Sequence, residues 1–345
     1  ATEEIIPGEG VTEVRMLSDY FPDLAGTAGD TQIYVLQGEQ EGGSCLILGG
    51  THANELGGHM GAVLFVENAK VEAGTLYVIP RTNNSAFTHN DPQEGHPSTV
   101  HITTDEGNVR EFIHGSRATN PVDQWPDPDV YVNYMGQSLS GSENRNINRT
   151  YPGKADGTLT EMMSYGIVQL INTENIDVTV DLHEASPEYP VINALIAHER
   201  AMNLASNVVV DMQMEGVQIS LEPSPTDLRG LTHRELGDHT DTLALLMEAP
   251  NPAQGRLRDR TDEALVLTGK SETYVKAGEI GQLYVPYDEN GWPIEVRCAR
   301  HVFGIERILA NYSEMYEEPI IVTGMPSYDE LVKNGMGPYL NEPTT

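Results

Sequence analysis

Lysine is nearly missing from this chain. Lys70, Lys154, Lys270, Lys276 and Lys333 are all that 345 residues contain, and Asp plus Glu reach 52 against 20 Lys plus Arg, a formal net charge of −32. A field of that sign repels phosphate backbones and anionic lipid headgroups, so neither nucleic acid nor a membrane surface is expected as a partner. Solubility accounts for such a surface, and so does a salt-adapted source, where acidic residues are plentiful and lysine scarce. Cysteine is rarer still, with Cys45 and Cys298 alone. Two can form one bridge at most, which is no disulfide scaffold. Cys45 lies in the apolar run Ser44–Leu48 and reads as a small buried hydrophobe. No apolar run approaches the length of a membrane span. The chain opens at Ala1 rather than Met, which fits removal of a signal peptide and gives an expectation of export, with the cytoplasm as the alternative.

The rest of the composition is ordinary. Hydrophobic residues at 39% and charged residues at 21% suit a globular protein large enough for a sizeable core. Residues 1–30 are acidic, with Pro and Gly, and read as a lead-in. Strands are expected at 31–36, 44–48 and 75–79, with a helix over 54–69 whose apolar residues (Leu56, Met60, Val63, Leu64, Val66) keep helical spacing. Strand, helix, strand with short connections is a βαβ unit. Residues 83–147 break the rhythm with Asn, Pro, Gly, His and Ser, and form a long insertion of the kind that is usually functional or disordered. Beyond it come a helix over 158–174, a strand at 177–182, a strand at 191–197, a helix over 199–215, a strand at 242–247, and helices over 261–279 and 297–315. The reading is a single α/β domain over 31–320, a mixed, mostly parallel sheet flanked by helices, with a tail at 321–345.

Chemistry concentrates at strand ends. Gly49-Gly50-Thr51-His52-Ala53-Asn54-Glu55 follows an apolar strand, and a His and a Glu three apart share one face where a helix begins. His183 ends the run Val178-Thr179-Val180-Asp181-Leu182. Two imidazoles and a carboxylate are the ligand set with which a catalytic zinc keeps its fourth position open. Open α/β sheets gather ligands at the carboxyl ends of their strands, so His52, Glu55 and His183 can converge. Asp181 shares the His183 side of its strand by period-two alternation, and either orients a ligand imidazole or faces the site. Glu248 closes the strand at 242–247 just before Ala249-Pro250, where a carboxylate can take a proton from a water as general base. Glu143-Asn144-Arg145-Asn146-Ile147-Asn148-Arg149 places guanidiniums beside amides, a fork for a carboxylate or an oxyanion, or else a turn held by Asn side chains. The other histidines read as surface or structural residues, with His233 the one to watch.

Taken in order, these elements resemble the zinc carboxypeptidase superfamily, particularly its aspartoacylase and succinylglutamate desuccinylase branch. The matching pieces are Gly50-x-His52-x-x-Glu55, Asn148-Arg149 with Tyr151-Pro152-Gly153, Asp181-Leu182-His183, and Glu248 closing a late strand; they span residues 45–250. The resemblance implies an α/β/α fold and one Zn2+ per chain bound by His52, Glu55 and His183. It also implies Glu248 as general base and acid, with Asn148 and Arg149 gripping a substrate carboxylate. Two departures stand out. Asn146 replaces the Asp that usually precedes the Asn-Arg pair by two, and Gly141 stands where a carbonyl-polarising arginine is usual. Arg145 is the expected substitute, with Arg110 and Arg117 behind it.

The function so implied is hydrolysis of an amide bond in a small carboxylate-bearing substrate, an N-acyl amino acid deacylase. A metallocarboxypeptidase acting on short or cell-wall peptides is the enzymatic alternative. A catalytically silent peptide- or amino-acid-binding protein is the alternative of another class, and retention of Glu248 beside the ligand set argues against it. A serine hydrolase fits poorly, because Gly136-Gln137-Ser138-Leu139-Ser140 lacks the second glycine of a nucleophile elbow. Oligomerisation is left open.

Overall fold

The structure is a computed structural model that describes residues 5–91 and 94–343. Its strands in chain order are β1 (Glu13–Met16), β2 (Gln32–Gln37), β3 (Gln40–Leu48), β4 (Lys70–Ile79), β5 (Thr99–Thr103), β6 (Val109–Ile113), β7 (Val130–Val132), β8 (Ser138–Ser140), β9 (Val178–Ala185), β10 (Ala194–Ala197), β11 (Ser220–Pro223), β12 (Leu243–Pro250) and β13 (Ile321–Thr323). The helices are α1 (Leu56–Asn68), α2 (Leu159–Glu174), α3 (Met202–Met214), α4 (Thr232–His239), α5 (Glu263–Thr268), α6 (Glu272–Glu279), α7 (Ile294–Tyr316) and α8 (Tyr328–Asn334). Nine strands make one mixed sheet in the order β1-β2-β4-β3-β9-β12-β10-β11, with β13 also on β4. Its centre, β4-β3-β9-β12, runs parallel; β2 and β1 continue antiparallel on one flank, and on the other β10 joins β12 antiparallel with β11 parallel to β10.

Alternation along each central strand builds two cores. Cys45 and Ile47 point to the face covered by α1, α3 and α7, whereas Leu46 and Leu48 point to the face covered by α2. On β9, Val178, Val180 and Leu182 join the first core. Asp181 and His183 must therefore emerge on the second face and Glu184 on the first. β12 repeats the pattern, with Leu243, Leu245 and Met247 in the first core and Ala244 in the second. Each fully buried Leu, Ile or Val contributes roughly 1.5–3 kcal/mol, so strands this apolar are committed to the middle of the sheet. Cys45 and Cys298 are both buried and unbridged.

Helix α1 is buried along nearly its whole length, as expected of a helix apolar on every side. Its glycines let it press on β9. A Cβ at Gly58 would lie 2.2 Å from the carbonyl oxygen of Leu182. That close approach brings the start of α1, and Glu55 with it, to the end of β9.

Several elements differ from the sequence expectation. The helix expected over 261–279 is two, because Gly269 adopts φ +60° to end α5 and Ser271 caps a new start for α6. Residues 13–16 of the lead-in pair with β2, and residues 321–323 of the tail pair with β4. The insertion contains two small hairpins, β5–β6 and β7–β8, separate from the main sheet.

Candidate metal centre

The carboxyl ends of β3, β9 and β12 lie side by side. Leu48 pairs with Asp181, Asp181 with Leu246, and His183 with Glu248. Neighbours paired across a parallel sheet project to the same side, so His183 and Glu248 emerge together. Leaving β3, the chain turns at Gly50 with φ +61°, where a Cβ would meet the Pro80 carbonyl at 2.5 Å. Only glycine fits there. The turn delivers Thr51 and His52 over the end of β9, where the Thr51 hydroxyl donates to Asp181 Oδ1 at 2.7 Å.

His52, Glu55 and His183 meet, all at least 97% buried. His52 Nδ1 lies 2.8 Å from Glu55 Oε1, and His183 Nδ1 lies 3.1 Å from Glu55 Oε2. The two rings stand edge to face with centroids 4.9 Å apart. One donor atom from each residue falls within 4.8 Å of the others. Each distal nitrogen is engaged elsewhere. His52 Nε2 donates to Asn146 Oδ1 at 2.9 Å, and His183 Nε2 donates to Asp181 Oδ2 at 2.8 Å. With Nε2 donating elsewhere, Nδ1 of each ring is the nitrogen that faces Glu55 and the shared point, the atom a metal ion would take in place of a proton.

The electrostatics agree with a cation at that point. Burial alone would raise the Glu55 carboxyl, but the facing charges of His52 and His183 hold it well below its usual value. Burial would lower His183, yet Asp181 and Glu55 on either side push it well above the ordinary imidazole range. The field that invites a proton between these groups invites a divalent ion in its place. Burial lowers His52, and the nearby Arg117 charge adds to the effect. Glu248 is pushed up to about 8, chiefly by desolvation, with His183 and Arg117 opposing and Glu55 and Asp181 assisting. A divalent cation beside it would bring that value down again.

The Asn-Arg cluster divides. The Asn148 side-chain oxygen accepts from the Thr232 amide and hydroxyl at 2.9 and 2.8 Å, which orients its amide group. Arg149 is mostly buried with Nε 3.5 Å from Glu143 Oε2, and burial together with the Arg117 charge lowers its pKa against the opposing pull of Glu143. Arg145 is committed elsewhere: its Nε and Nη2 grip Asp127 at 2.7 and 3.0 Å, and its Nη1 donates to the Thr119 carbonyl. Arg110 likewise makes a two-pronged pair with Glu67. Arg117 is the guanidinium at the centre, 3.4 Å from His52 Nδ1 and 3.6 Å from Glu55 Oε1, with its side chain 42% exposed. It arrives because the insertion folds back on the ligand loop. Ala53 N donates to the Ser116 carbonyl, Gly115 N donates to the Ala53 carbonyl, and Asp91 bonds both Asn54 and Ser116.

A second layer escaped the sequence reading. Glu184, on the α1 face, accepts from Gly57 N at 2.8 Å and from Asn251 Nδ2 at 3.0 Å, and pairs with Arg297 Nε at 2.5 Å. Its own amide donates to Glu55 Oε2 at 3.0 Å. His233 is buried against the Ser224 hydroxyl at 2.7 Å, and desolvation pushes it down to about 3, so it stays neutral. A second grouping, His198, Glu199 and Asp238, is held by the guanidiniums of Arg234 and Arg229, which take the positive charge's place.

No protein-family model matches this chain, and no curated protein matches it. Solved structures do resemble it. A succinylglutamate desuccinylase from a Silicibacter species shares 16% identity with a TM-score of 0.46, over 86% of this chain and 63% of its own. A metallo-carboxypeptidase from Burkholderia cenocepacia shares 12% identity with a TM-score of 0.49, over 89% of this chain and 66% of its own. The cell shape determinant protein Csd4 of Helicobacter pylori, solved with product bound, shares 12% identity with a TM-score of 0.49, over 88% and 59%. The chain thus spans about three fifths to two thirds of the length of these neighbours.

Proposed function

We propose that this protein is a metal-dependent hydrolase that cleaves an amide bond in a small substrate bearing a free carboxylate, such as an N-acyl amino acid. The observation that carries the reading is the meeting of His52 Nδ1, His183 Nδ1 and Glu55 at one buried point, with Glu248 across from His183 on the next strand. The donor set, two nitrogens and one carboxylate with their outer partners satisfied, fits one zinc ion per chain. A zinc ion held there would supply Lewis acidity, acidifying a water and polarising a carbonyl.

The chain's own residues would do the rest. Glu248 takes a proton from the attacking water and returns it to the departing nitrogen, a role suited to a desolvated carboxyl that the neighbouring cation would keep ionised and ready to accept. Arg117, next to Glu55 and partly open to solvent, supplies positive charge where the carbonyl oxygen becomes anionic. It replaces Arg145 in that role, since Arg145 is saturated by Asp127 and Thr119. Arg149 and the Asn148 amide hold the substrate carboxylate. The burial of Arg149 strengthens that contact, because a desolvated guanidinium gains most from a carboxylate partner.

The arginine assignments separate by kinetics on N-acyl amino acids and their C-terminal amides. Arg117→Ala is expected to lower kcat by about 10²–10³ with KM little changed. Arg145→Ala should reduce stability and leave kcat of the folded enzyme near wild type. Arg149→Ala should raise KM for the free acids and spare the amides. An Arg145→Ala enzyme that is fully folded yet as slow as Arg117→Ala would overturn the exchange of roles.

A further inference from the structure

The two ligand imidazoles rest on different kinds of acceptor, and the difference has a local cause. Behind His183 stands the carboxylate of Asp181, whose other oxygen also meets a donor, the Thr51 hydroxyl. Behind His52 stands a neutral amide, Asn146, 2% exposed and surrounded by groups of both kinds. Its Oδ1 accepts from His52 Nε2 at 2.9 Å and from the Asn148 backbone amide at 3.0 Å. Its Nδ2 donates to Glu143 Oε2 at 2.9 Å. That same Glu143 oxygen is 3.5 Å from Arg149 Nε. The three partners fix the amide's orientation, since only its nitrogen end can face a carboxylate.

Resting on the reading of the site as a metallohydrolase, we infer that Asn146 and Glu143 are positioning residues that tie the metal ligand His52 to the carboxylate-binding Arg149. Asn146 sets the His52 ring with one end and Glu143 with the other, and Glu143 steers the guanidinium. An aspartate at 146 could serve His52 but not Glu143, because two carboxylates at hydrogen-bond distance repel and one must take up a proton. Asparagine is the side chain of that size with an acceptor for the imidazole and a donor for the carboxylate. The pair thereby sets the distance between the metal and the substrate's carboxylate, which fixes how far the cleaved bond can lie from that carboxylate.

Four full-length proteins test this: wild type, Asn146→Ala, Asn146→Asp and Glu143→Gln. Zinc affinity is measured by competition with a chromogenic chelator, without reference to turnover. Binding of N-acetylglycine and of N-acetylglycinamide to the zinc-loaded proteins is measured by calorimetry. Asn146→Ala should weaken zinc by about 10–100-fold, as loss of an outer partner to a ligand does. Asn146→Asp keeps the acceptor and should restore zinc affinity to near wild type. Both Asn146→Asp and Glu143→Gln should cut the preference for the free acid over the amide by about tenfold, the effect of losing one charge-assisted hydrogen bond. Zinc affinity in Asn146→Asp as poor as in Asn146→Ala, or an undiminished acid preference in Glu143→Gln, would overturn the link. A wild-type protein with no preference for the acid would instead defeat the substrate reading and the Arg149 half with it, while the zinc measurements alone decide the His52 half.

Discussion

Replacing Glu248 by Gln is expected to lower kcat by about 10²–10⁴, the contribution of a positioned general base, while zinc content stays at wild-type level. The substitution keeps the side chain's shape and removes its capacity to accept a proton. Glu248 pairs with His183 across the sheet and is not one of the three residues that could hold the ion. Loss of zinc along with turnover would make Glu248 a ligand, and unchanged turnover would remove it from the chemistry. A second measurement comes from the pKa. Burial holds the Glu248 carboxyl up to about 8 in the metal-free protein, so the folded state binds a proton more tightly than the unfolded chain. The sign follows from linkage: that contribution favours folding at low pH and is lost as pH rises through 8. At pH 9 the metal-free Glu248→Gln protein should therefore denature at a higher urea concentration than the metal-free wild type, because it has no buried charge to carry.

The largest effect on stability is expected at Arg297. Its side chain and that of Glu184 are both fully buried, joined through Nε at 2.5 Å, and its two terminal nitrogens donate to the carbonyls of Trp292 and Val266 at 2.8 and 2.9 Å. Removing one partner leaves the other charge stranded away from water, so Arg297→Ala should destabilise by about 3–5 kcal/mol in chemical denaturation. The double replacement Glu184→Gln with Arg297→Met should lose less than the single one, since no charge is left unpaired. A cost below about 1 kcal/mol for Arg297→Ala would show that the pair is hydrated or dispensable. The damage should also reach the metal. Glu184 anchors Gly57 at the start of α1 and its own amide holds Glu55 Oε2. Arg297→Ala should accordingly weaken zinc as well as unfold more easily, whereas a core substitution remote from Glu184 would lower stability alone.

Much of this was legible because the central strands are buried on both faces and so read as short, largely apolar runs. Val178–Leu182 and Leu243–Met247 could only be core strands, and a His or Glu at the end of such a strand has few places to go. The alternation that put Asp181 and His183 on one side is observed, with Asp181 bonded to the His183 ring. The insertion was not legible in this way. Arg117 reaches the centre through backbone bonds between residues 115–116 and Ala53, a pairing that leaves no periodic trace. Arg145 looked the better candidate by proximity to Asn148. It is Asp127, eighteen positions upstream in the same irregular stretch, that occupies it. Edge strands β1 and β13 are three or four residues long and half exposed, too short for an alternation signal. The break between α5 and α6 did carry a signal, Gly269 followed by Ser271, which helical spacing on both sides obscured.

Zinc binding itself tests the centre of this account most directly. Wild-type protein stripped of metal, loaded with zinc and freed of excess should retain one ion per chain by elemental analysis, and His183→Ala treated identically should retain close to none. Stoichiometric zinc that survives the loss of His183, or a wild type that holds no zinc, would contradict the shared point at which His52, Glu55 and His183 converge.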